Sequence, residues 1–303
     1  MQIKTNHISH TFSKKTPWEF TALTNINLEI KQGEYLGIIG STGSGKTTLI
    51  EHLNGLLKPT TGSIEWHFSA DIYNKKTKQN ISTQFDLINN AEKRRKLKNT
   101  KEIRKKIGIV FQFAEYQLFK NTIKDDIAFG PIAYDVPKQE AYQRAKECLK
   151  MVGLSEEYLE RSPFELSGGQ KRRVAVAGIL AMQPDFMVFD EPTAGLDPVG
   201  VVEILDILSN LNKAGKTIIN VTHDLDHVLE HASRVIILKD GKLVQSGKPY
   251  DVLNNIELLW ENNLQPPKLL EFVYKLRQKG LNVPEVRSLQ ELSDYINNLQ
   301  KGK

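Results

Sequence analysis

Cysteine is nearly absent: Cys148 is the single thiol in 303 residues. No intrachain disulfide framework and no cysteine-rich metal site can form. Cys148 lies where Ala141, Ala145, Cys148, Leu149 and Val152 recur at helical spacing, so it is expected as a small buried apolar residue. Long hydrophobic runs are missing as well. No stretch approaches the roughly 18 apolar residues of a membrane-spanning helix. Met1-Gln2-Ile3-Lys4 begins without the apolar run of a signal peptide. The chain is therefore expected in the cytosol, with any membrane role exercised through a partner. Neither sign of charge dominates: 41 Lys and Arg face 36 Asp and Glu, a net charge of +5. That balance suits polyanionic ligands, anionic membrane surfaces or nucleic acid, and does not choose among them. With 40% hydrophobic and 25% charged residues, the composition supports a sizeable core and excludes global disorder.

What is present is an alternation of short apolar, β-branched runs with helical segments. The runs are residues 35–39, 107–111, 186–189, 218–221 and 235–238. Helical patterns follow several of them, over residues 46–57, 201–211 and 225–231. Continuous apolar runs separated by helices predict a parallel sheet buried on both faces, hence an α/β fold. In such sheets ligands gather beyond the carboxyl ends of the strands. The conspicuous polar residues of this chain follow the runs directly.

The first is Gly40-Ser41-Thr42-Gly43-Ser44-Gly45-Lys46-Thr47, between a run and a helix. Its spacing is that of a P-loop. The glycines let successive backbone N–H groups turn onto phosphate oxygens, and the helix, beginning at Lys46 with Thr47 and Thr48, aims its positive end there. Lys46 is expected on the β- and γ-phosphates of ATP, and the Thr47 hydroxyl on Mg²⁺. A glycine-rich turn before an ordinary helix is the competing explanation, and the strand–loop–helix context disfavours it.

The run at 186–189 ends in Asp190-Glu191. Asp190 is expected to hold Mg²⁺ through a water, and Glu191 to polarise the attacking water as general base. Alone, two acids at a strand end are weak, because solvated loop acids are common. His223 and Gln112 follow two further runs. In isolation each reads as a polar strand end. In this ordered set His223 reads as a γ-phosphate sensor, and Gln112 as a Mg²⁺ and water ligand reporting to a neighbouring subunit.

Leu166-Ser167-Gly168-Gly169-Gln170 completes the set, with Ser167 and Gln170 at capping-box spacing before a helix. Together with the P-loop, Asp190-Glu191 and His223 in this order, the pentapeptide resembles the signature of ABC-type ATPases. The resemblance covers nearly the whole chain. It implies a P-loop NTPase fold of ABC type: a mostly parallel sheet core, an antiparallel β portion, a helical signature subdomain and a C-terminal helical tail. It implies that two such subunits pair head to tail, each ATP lying between one subunit's Lys46 loop and the other's Ser167–Gln170 helix end. Ala194-Gly195-Leu196-Asp197 resembles the loop crossing that interface. Phe12 stands where the family carries an aromatic on adenine; a plain core Phe is the other possibility.

Within the superfamily, four stretches resemble the ATPases of energy-coupling factor importers. They begin at His52-Leu53-Asn54, Phe111-Gln112-Phe113, Asp126-Ile127-Ala128 and Thr193-Ala194-Gly195. His52-Leu53-Asn54 and Arg172-Arg173 resemble the second of the two ATPase types in those complexes. The resemblance implies a related, non-identical ATPase, an integral membrane coupling protein and small substrate-binding membrane proteins as partners, with no nucleic acid. It places the chain as a peripheral protein on the cytoplasmic face of the membrane, serving uptake of vitamins or metal ions. The segment around Gln112–Asp126 is expected to form the groove that receives a helix of the coupling protein, with Glu115, Asp125 and Asp126 pairing with arginines there. Two departures stand out: Ala114 replaces a usual proline, and the Lys-, Asn- and Gln-rich stretch 68–106 is longer than usual.

The expected organisation is an ATPase domain over 1–265, with a helical subdomain at about 113–182 and a basic insertion at about 68–106. The insertion reads as an extended loop or β-excursion, and its basic part (93–106) either lies on lipid headgroups or is simply solvated. A helical tail over 266–303 is expected to help the ATPases associate. It would contain Leu269, Leu270, Phe272, Val273 and Leu276 on one face, and a second helix with Leu289, Leu292, Ile296 and Leu299. An ordinary single-substrate importer ATPase and a soluble ABC ATPase acting on nucleic acid or ribosomes remain as alternatives.

Overall fold

The computed structural model describes residues 1–74, 79–92 and 97–301. Parts of the basic stretch (75–78 and 93–96) and the Leu299 side chain lie outside the described residues. The chain opens with antiparallel strands β1 (Gln2–Phe12) and β2 (Phe20–Lys31), then β3 (Tyr35–Ile39), whose five residues are all buried, and helix α1 (Lys46–Leu53). Strands β4 (Thr61–Asn74) and β5 (Gln79–Asn90) form a long hairpin, followed by α2 (Thr100–Lys106) and β6 (Ile107–Val110). A 3-10 turn at Ala114–Gln117 leads into α3 (Ile123–Ala133), α4 (Lys138–Met151) and α5 (Gly168–Leu180). The chain then returns to sheet and helix in alternation: β7 (Phe186–Asp190), α6 (Pro198–Lys213), β8 (Thr217–Val221), α7 (Leu225–His231) and β9 (Arg234–Lys239). It closes with β10 (Lys242–Gly247), α8 (Pro249–Leu253), α9 (Ile256–Glu261), α10 (Lys268–Gln278) and α11 (Leu289–Lys301).

Two sheets result. One has the order β2-β1-β4-β5; the other runs β10-β9-β3-β8-β7-β6. From β9 to β6 the second sheet is parallel, and β10 pairs antiparallel at its edge. Strands β3, β6, β7 and β8 are buried throughout, which is why each reads as a mainly apolar run, broken in β8 by the buried Asn220. Their carboxyl ends lie side by side, and the loops carrying Gly40, Gln112, Glu191 and His223 leave from there.

Of the two forms expected for the stretch 68–106, its described residues take the β-excursion: they carry the outer part of the β4–β5 hairpin and, after an irregular connection, α2. Ile64, Trp66 and Phe68 point inward on alternate residues, Phe85 stacks on Phe68 at 5.1 Å, and Trp66 Nε1 donates to the Leu53 carbonyl at 2.7 Å.

Three apolar clusters hold the molecule. One lies between the two sheets and around α1. A second joins α3, α4, α5 and α6 to one face of the parallel sheet, with Cys148 buried inside it. The third packs α7, α8 and α9 with Leu269, Leu270, Val273, Val283, Val286 and Leu292 of the tail. The tail is thus continuous with the core of the ATPase. Phe272 departs from its expected place: it is 49% exposed, while Leu269, Leu270 and Val273 are buried.

Candidate functional site

The phosphate cradle depends on backbone that only glycine adopts without strain. Gly40 has φ +158° and Gly45 φ +98°. A Cβ at Gly40 would sit 2.3 Å from the Leu238 carbonyl, and one at Gly45 2.6 Å from that of Ala22. The loop can therefore wrap closely against the ends of β9 and β2 and present its amides, together with the first turn of α1, to one cavity of about 490 Å³. Thr42, Gly43, Ser44, Gly45, Lys46, Thr47 and Thr48 line it. Gly40 and Ser41 stand behind, their carbonyls accepting from Lys46 Nζ at 2.7 and 3.0 Å. The buried Ser44 hydroxyl has no partner of its own.

Gln112, Asp190, Glu191 and His223 complete the lining, each from the end of a different strand or from adjacent positions on one. The Thr47 hydroxyl donates to Asp190 Oδ2 at 3.1 Å. Asp190 is 7% exposed, and burial raises its pKa against the opposing Thr47 hydrogen bond and Lys46 charge. Glu191 has the left-handed φ of 50°, and its N–H is fixed to the Val221 carbonyl at 2.9 Å. Burial pushes its carboxyl up to about 7, with Lys46 opposing. His223 Nε2 lies 2.9 Å from Glu191 Oε1, but the ring is not aligned for a hydrogen bond, and Oε1 has no aligned partner. Burial and the Lys46 charge both hold the His223 pKa down. Lys46 is itself lowered by burial, with Glu191 and Asp190 opposing. A cation, two carboxyls and a neutral imidazole thus face one concave amide-lined space. Oxygen donors on Thr47, Gln112 and Asp190 suit a hard divalent cation, and the amide cradle suits a polyphosphate.

The signature residues are not in this cavity. Ser167, Gly168, Gly169 and Gln170 line another, of about 280 Å³, together with Gly195, Leu196 and Asp197. The capping box is formed: Gln170 N–H donates to Ser167 Oγ at 3.3 Å, and Ser167 N–H to Gln170 Oε1 at 3.0 Å. Leu166 is buried beneath it. Asp197 caps α6, accepting from Gly200 N–H at 2.8 Å. The two cavities of one chain are separate surfaces.

Phe12 and the three acids have surroundings that their spacing did not show. Phe12 neither lines the phosphate cavity nor belongs to the core. It is 38% exposed, edge-on to His10 at 4.4 Å, while its cross-strand partner Phe20 reaches the cavity. The three acids expected to pair with a coupling protein's arginines also accept hydrogen bonds within the chain. Glu115 accepts from Arg172 Nε and Nη2 at 3.0 and 2.7 Å, and Asp125 from Thr122 and Tyr142 at 2.8 and 2.7 Å. Asp126 accepts from the amides of Phe119 and Lys120 at 2.9 and 2.8 Å.

Besides Phe20, a buried network behind the site had no signal in residue spacing. The Tyr35 hydroxyl, at the start of β3, accepts from Asn220 at 3.3 Å and shares a hydrogen bond with His227 Nε2 at 2.8 Å. Burial pushes His227 down to about 4, so it stays neutral and ties α7 to β3 just after His223.

Fold and cradle define a P-loop ATPase. The ABC transporter family profile matches residues 23–194. The energy-coupling factor transporter ATP-binding protein EcfA2 of Mycoplasmopsis synoviae is 61% identical over 303 residues, covering 100% of this chain and 97% of that protein. Its counterpart in Mycoplasma mobile is 55% identical over 98% of this chain and 96% of its own length. Among solved structures, CbiO1 of Clostridium perfringens, part of the ABC transporter complex CbiONQ, superposes with a TM-score of 0.68 at 34% identity, covering 90% of this chain and 98% of that one. A dimeric post-hydrolysis ATP-binding cassette, MJ0796 bound to ADP and Pi, gives a TM-score of 0.64 at 33% identity over 82% of this chain and 98% of its own. The chain belongs to the ABC transporter family, among the energy-coupling factor transporter ATP-binding proteins.

Proposed function

We propose that this chain hydrolyses ATP with Mg²⁺ in a head-to-tail pair with a second, non-identical ABC ATPase, on the cytoplasmic face of the membrane. The pair powers import of vitamins or metal ions through an integral coupling protein and small substrate-binding membrane proteins. The observation that carries the pairing is the separation of the two cavities. Lys46, Asp190 and Glu191 share one, and Ser167–Gln170 open on another, so each half serves a complementary half elsewhere. The exposed rings of Phe272 and Trp260 on the tail side support a role for residues 266–303 in that association.

In the reaction, the amides from Thr42 to Thr47 and the Lys46 ammonium bind and orient the phosphates. Glu191 accepts a proton from the attacking water as oxygen bonds to the γ-phosphorus and ADP departs. His223 senses the γ-phosphate from beside Glu191. The Thr47 hydroxyl, Gln112 and, through a water, Asp190 would hold Mg²⁺, which would supply positive charge against the β- and γ-phosphates.

Mass spectrometry of what co-purifies with the tagged chain from gently solubilised membranes tests the transport part. A second ABC ATPase, one multi-span protein and several small unrelated membrane proteins are expected. A single dedicated permease pair would reassign the chain to an ordinary importer, and ribosomal proteins or nucleic acid alone would overturn the transport reading. For the hydrolytic part, Glu191→Gln is expected to retain ATP while turnover is abolished; hydrolysis at the parent rate removes Glu191 from its role.

A further inference from the structure

Arg172 is a guanidinium almost wholly inside the protein, its side chain 2% exposed. It stands two residues beyond Gln170 in the first half of α5, and its reach spans two loops. Nε and Nη2 grip both oxygens of Glu115, at 3.0 and 2.7 Å. Nη1 donates to the carbonyls of Pro192 and Ala194, at 2.9 and 2.7 Å. Glu115 lies on the turn immediately after Gln112, and Pro192–Ala194 follow Glu191 directly. The Phe113 ring lies 5.9 Å from the guanidinium carbon.

Both loops are held in unfavourable backbone. Phe113 and Glu191 have φ values of 58° and 50°, left-handed conformations that non-glycine residues keep only where their surroundings impose them. Arg172 is the group common to those surroundings. A buried charge survives only when paired and hydrogen-bonded, and four of the five guanidinium N–H donors are used here. The planar fork matters, because a single ammonium could not hold a carboxylate on one side and two carbonyls on the other.

We infer that Arg172 is a positioning residue that sets the loop after Glu191 against the loop after Gln112, and so aligns both with the phosphate cavity. It touches no reacting atom. It acts by fixing where the backbone of the general base begins and ends. This rests on the reading of Glu191 as the base. It goes beyond that reading by naming what holds the base in place from the signature helix.

The test uses the full-length chain purified with its membrane partners, with kcat, the KM for ATP and the melting temperature all measured. Arg172→Lys keeps the charge and loses the fork. Its kcat is expected to fall by about 10- to 100-fold, with KM within about threefold because the cradle is untouched. Arg172→Gln combined with Glu115→Gln removes the buried charge while leaving hydrogen-bonding groups on both sides, and guards against loss of folding. It is expected to fold and to remain slow. Leu149→Ala, in the fully buried middle of the helical cluster, is the stability control and should melt earlier with kcat nearly intact.

Parent kcat in Arg172→Lys, or in the double variant, overturns the inference. So does a loss of kcat in Leu149→Ala as large as in Arg172→Lys at equal melting temperature, since stability alone would then account for it. Glu191→Gln separates the two levels. If it still turns over, the reading of the base fails first; if it is inactive while Arg172→Lys is unaffected, only the inference on Arg172 fails.

Discussion

The two cavities of this chain are built in opposite ways. Around the P-loop the cation and the carboxyl that face each other are buried, Lys46 8% exposed and Asp190 7%, while Thr47 and His223 stand at the open side. Left-handed glycines and a left-handed Glu191 bend the backbone around them. At the signature end, Ser167 and Gly168 are exposed, the glycines have ordinary helical backbone, and a Cβ at Gly168 would meet nothing within 4 Å. One surface shifts the proton affinities of its own side chains. The other offers a capped helix N-terminus outward. The difference teaches where the work is divided. Chemistry needs a low-dielectric pocket with strained, fixed groups, whereas completion of a second site needs an accessible, regular one.

The largest way to break that comparison is to empty the buried side of its cation. Lys46→Ala is expected to cut ATP hydrolysis by about 10³-fold or more, since preorganised charge at the phosphates supplies most of the rate enhancement in such sites. ATPase assays beside nucleotide-binding measurements check it. A variant that hydrolyses within tenfold of the parent would mean that the buried cavity is not the phosphate site.

Next in size is the pH response of Glu191. Its carboxyl titrates at about 7, and only the ionised form takes a proton from water. kcat/KM for ATP, which reports ionisations of the nucleotide-free enzyme, should therefore fall as pH drops below about 7, approaching tenfold per pH unit well below it. The same shift has a stability consequence of definite sign. The folded state binds this proton more tightly than the unfolded state does, whose carboxyl sits near 4.5. Stability is thus lost as pH rises from about 4.5 to about 7 and stays lost above. Glu191→Gln should melt higher than the parent at pH 8, and the gain should shrink towards pH 5. A gain equal at both values would show that the carboxyl is not held protonated by its burial.

What the sequence made legible follows the same division. Continuous apolar runs announced β3, β6, β7 and β8 to within a residue, because strands buried on both faces leave no other pattern. The P-loop, Asp190-Glu191, Gln112 and His223 could be read from their place after those runs, and the structure brings them to one cavity. The β4–β5 hairpin was harder, since its outer strands carry Lys, Asn and Gln and alternate only around Ile64, Trp66 and Phe68. Side-chain partners were not legible at all. Glu115 read as a groove acid for a partner's arginine, and only burial of Arg172, a residue type that usually snorkels to solvent, reveals the pair within the chain. Phe12 and Phe20 are both aromatic and face each other across β1 and β2, so register and ring direction, not spacing, decide which one enters the cavity.

The smallest test sharpens the comparison from the exposed side. In Ser167→Ala the Gln170 amide loses the acceptor at 3.3 Å, and the Gln170 side chain keeps only its half of the capping box. An N-cap of this kind contributes about 1 kcal/mol. The melting temperature of the isolated chain should therefore drop by only about 2 °C, as expected for a domain of this size. ATP affinity of the isolated chain should be unchanged, because Ser167 does not line its own phosphate cavity. Hydrolysis by the assembled pair should fall further than the lost stability explains. The deficit should appear at the partner's nucleotide, where the helix end is presented. Assays in which only one of the two ATPases carries the substitution assign the deficit. If it stayed with the substituted chain's own nucleotide, each chain would hold a complete site and the division between its two cavities would collapse.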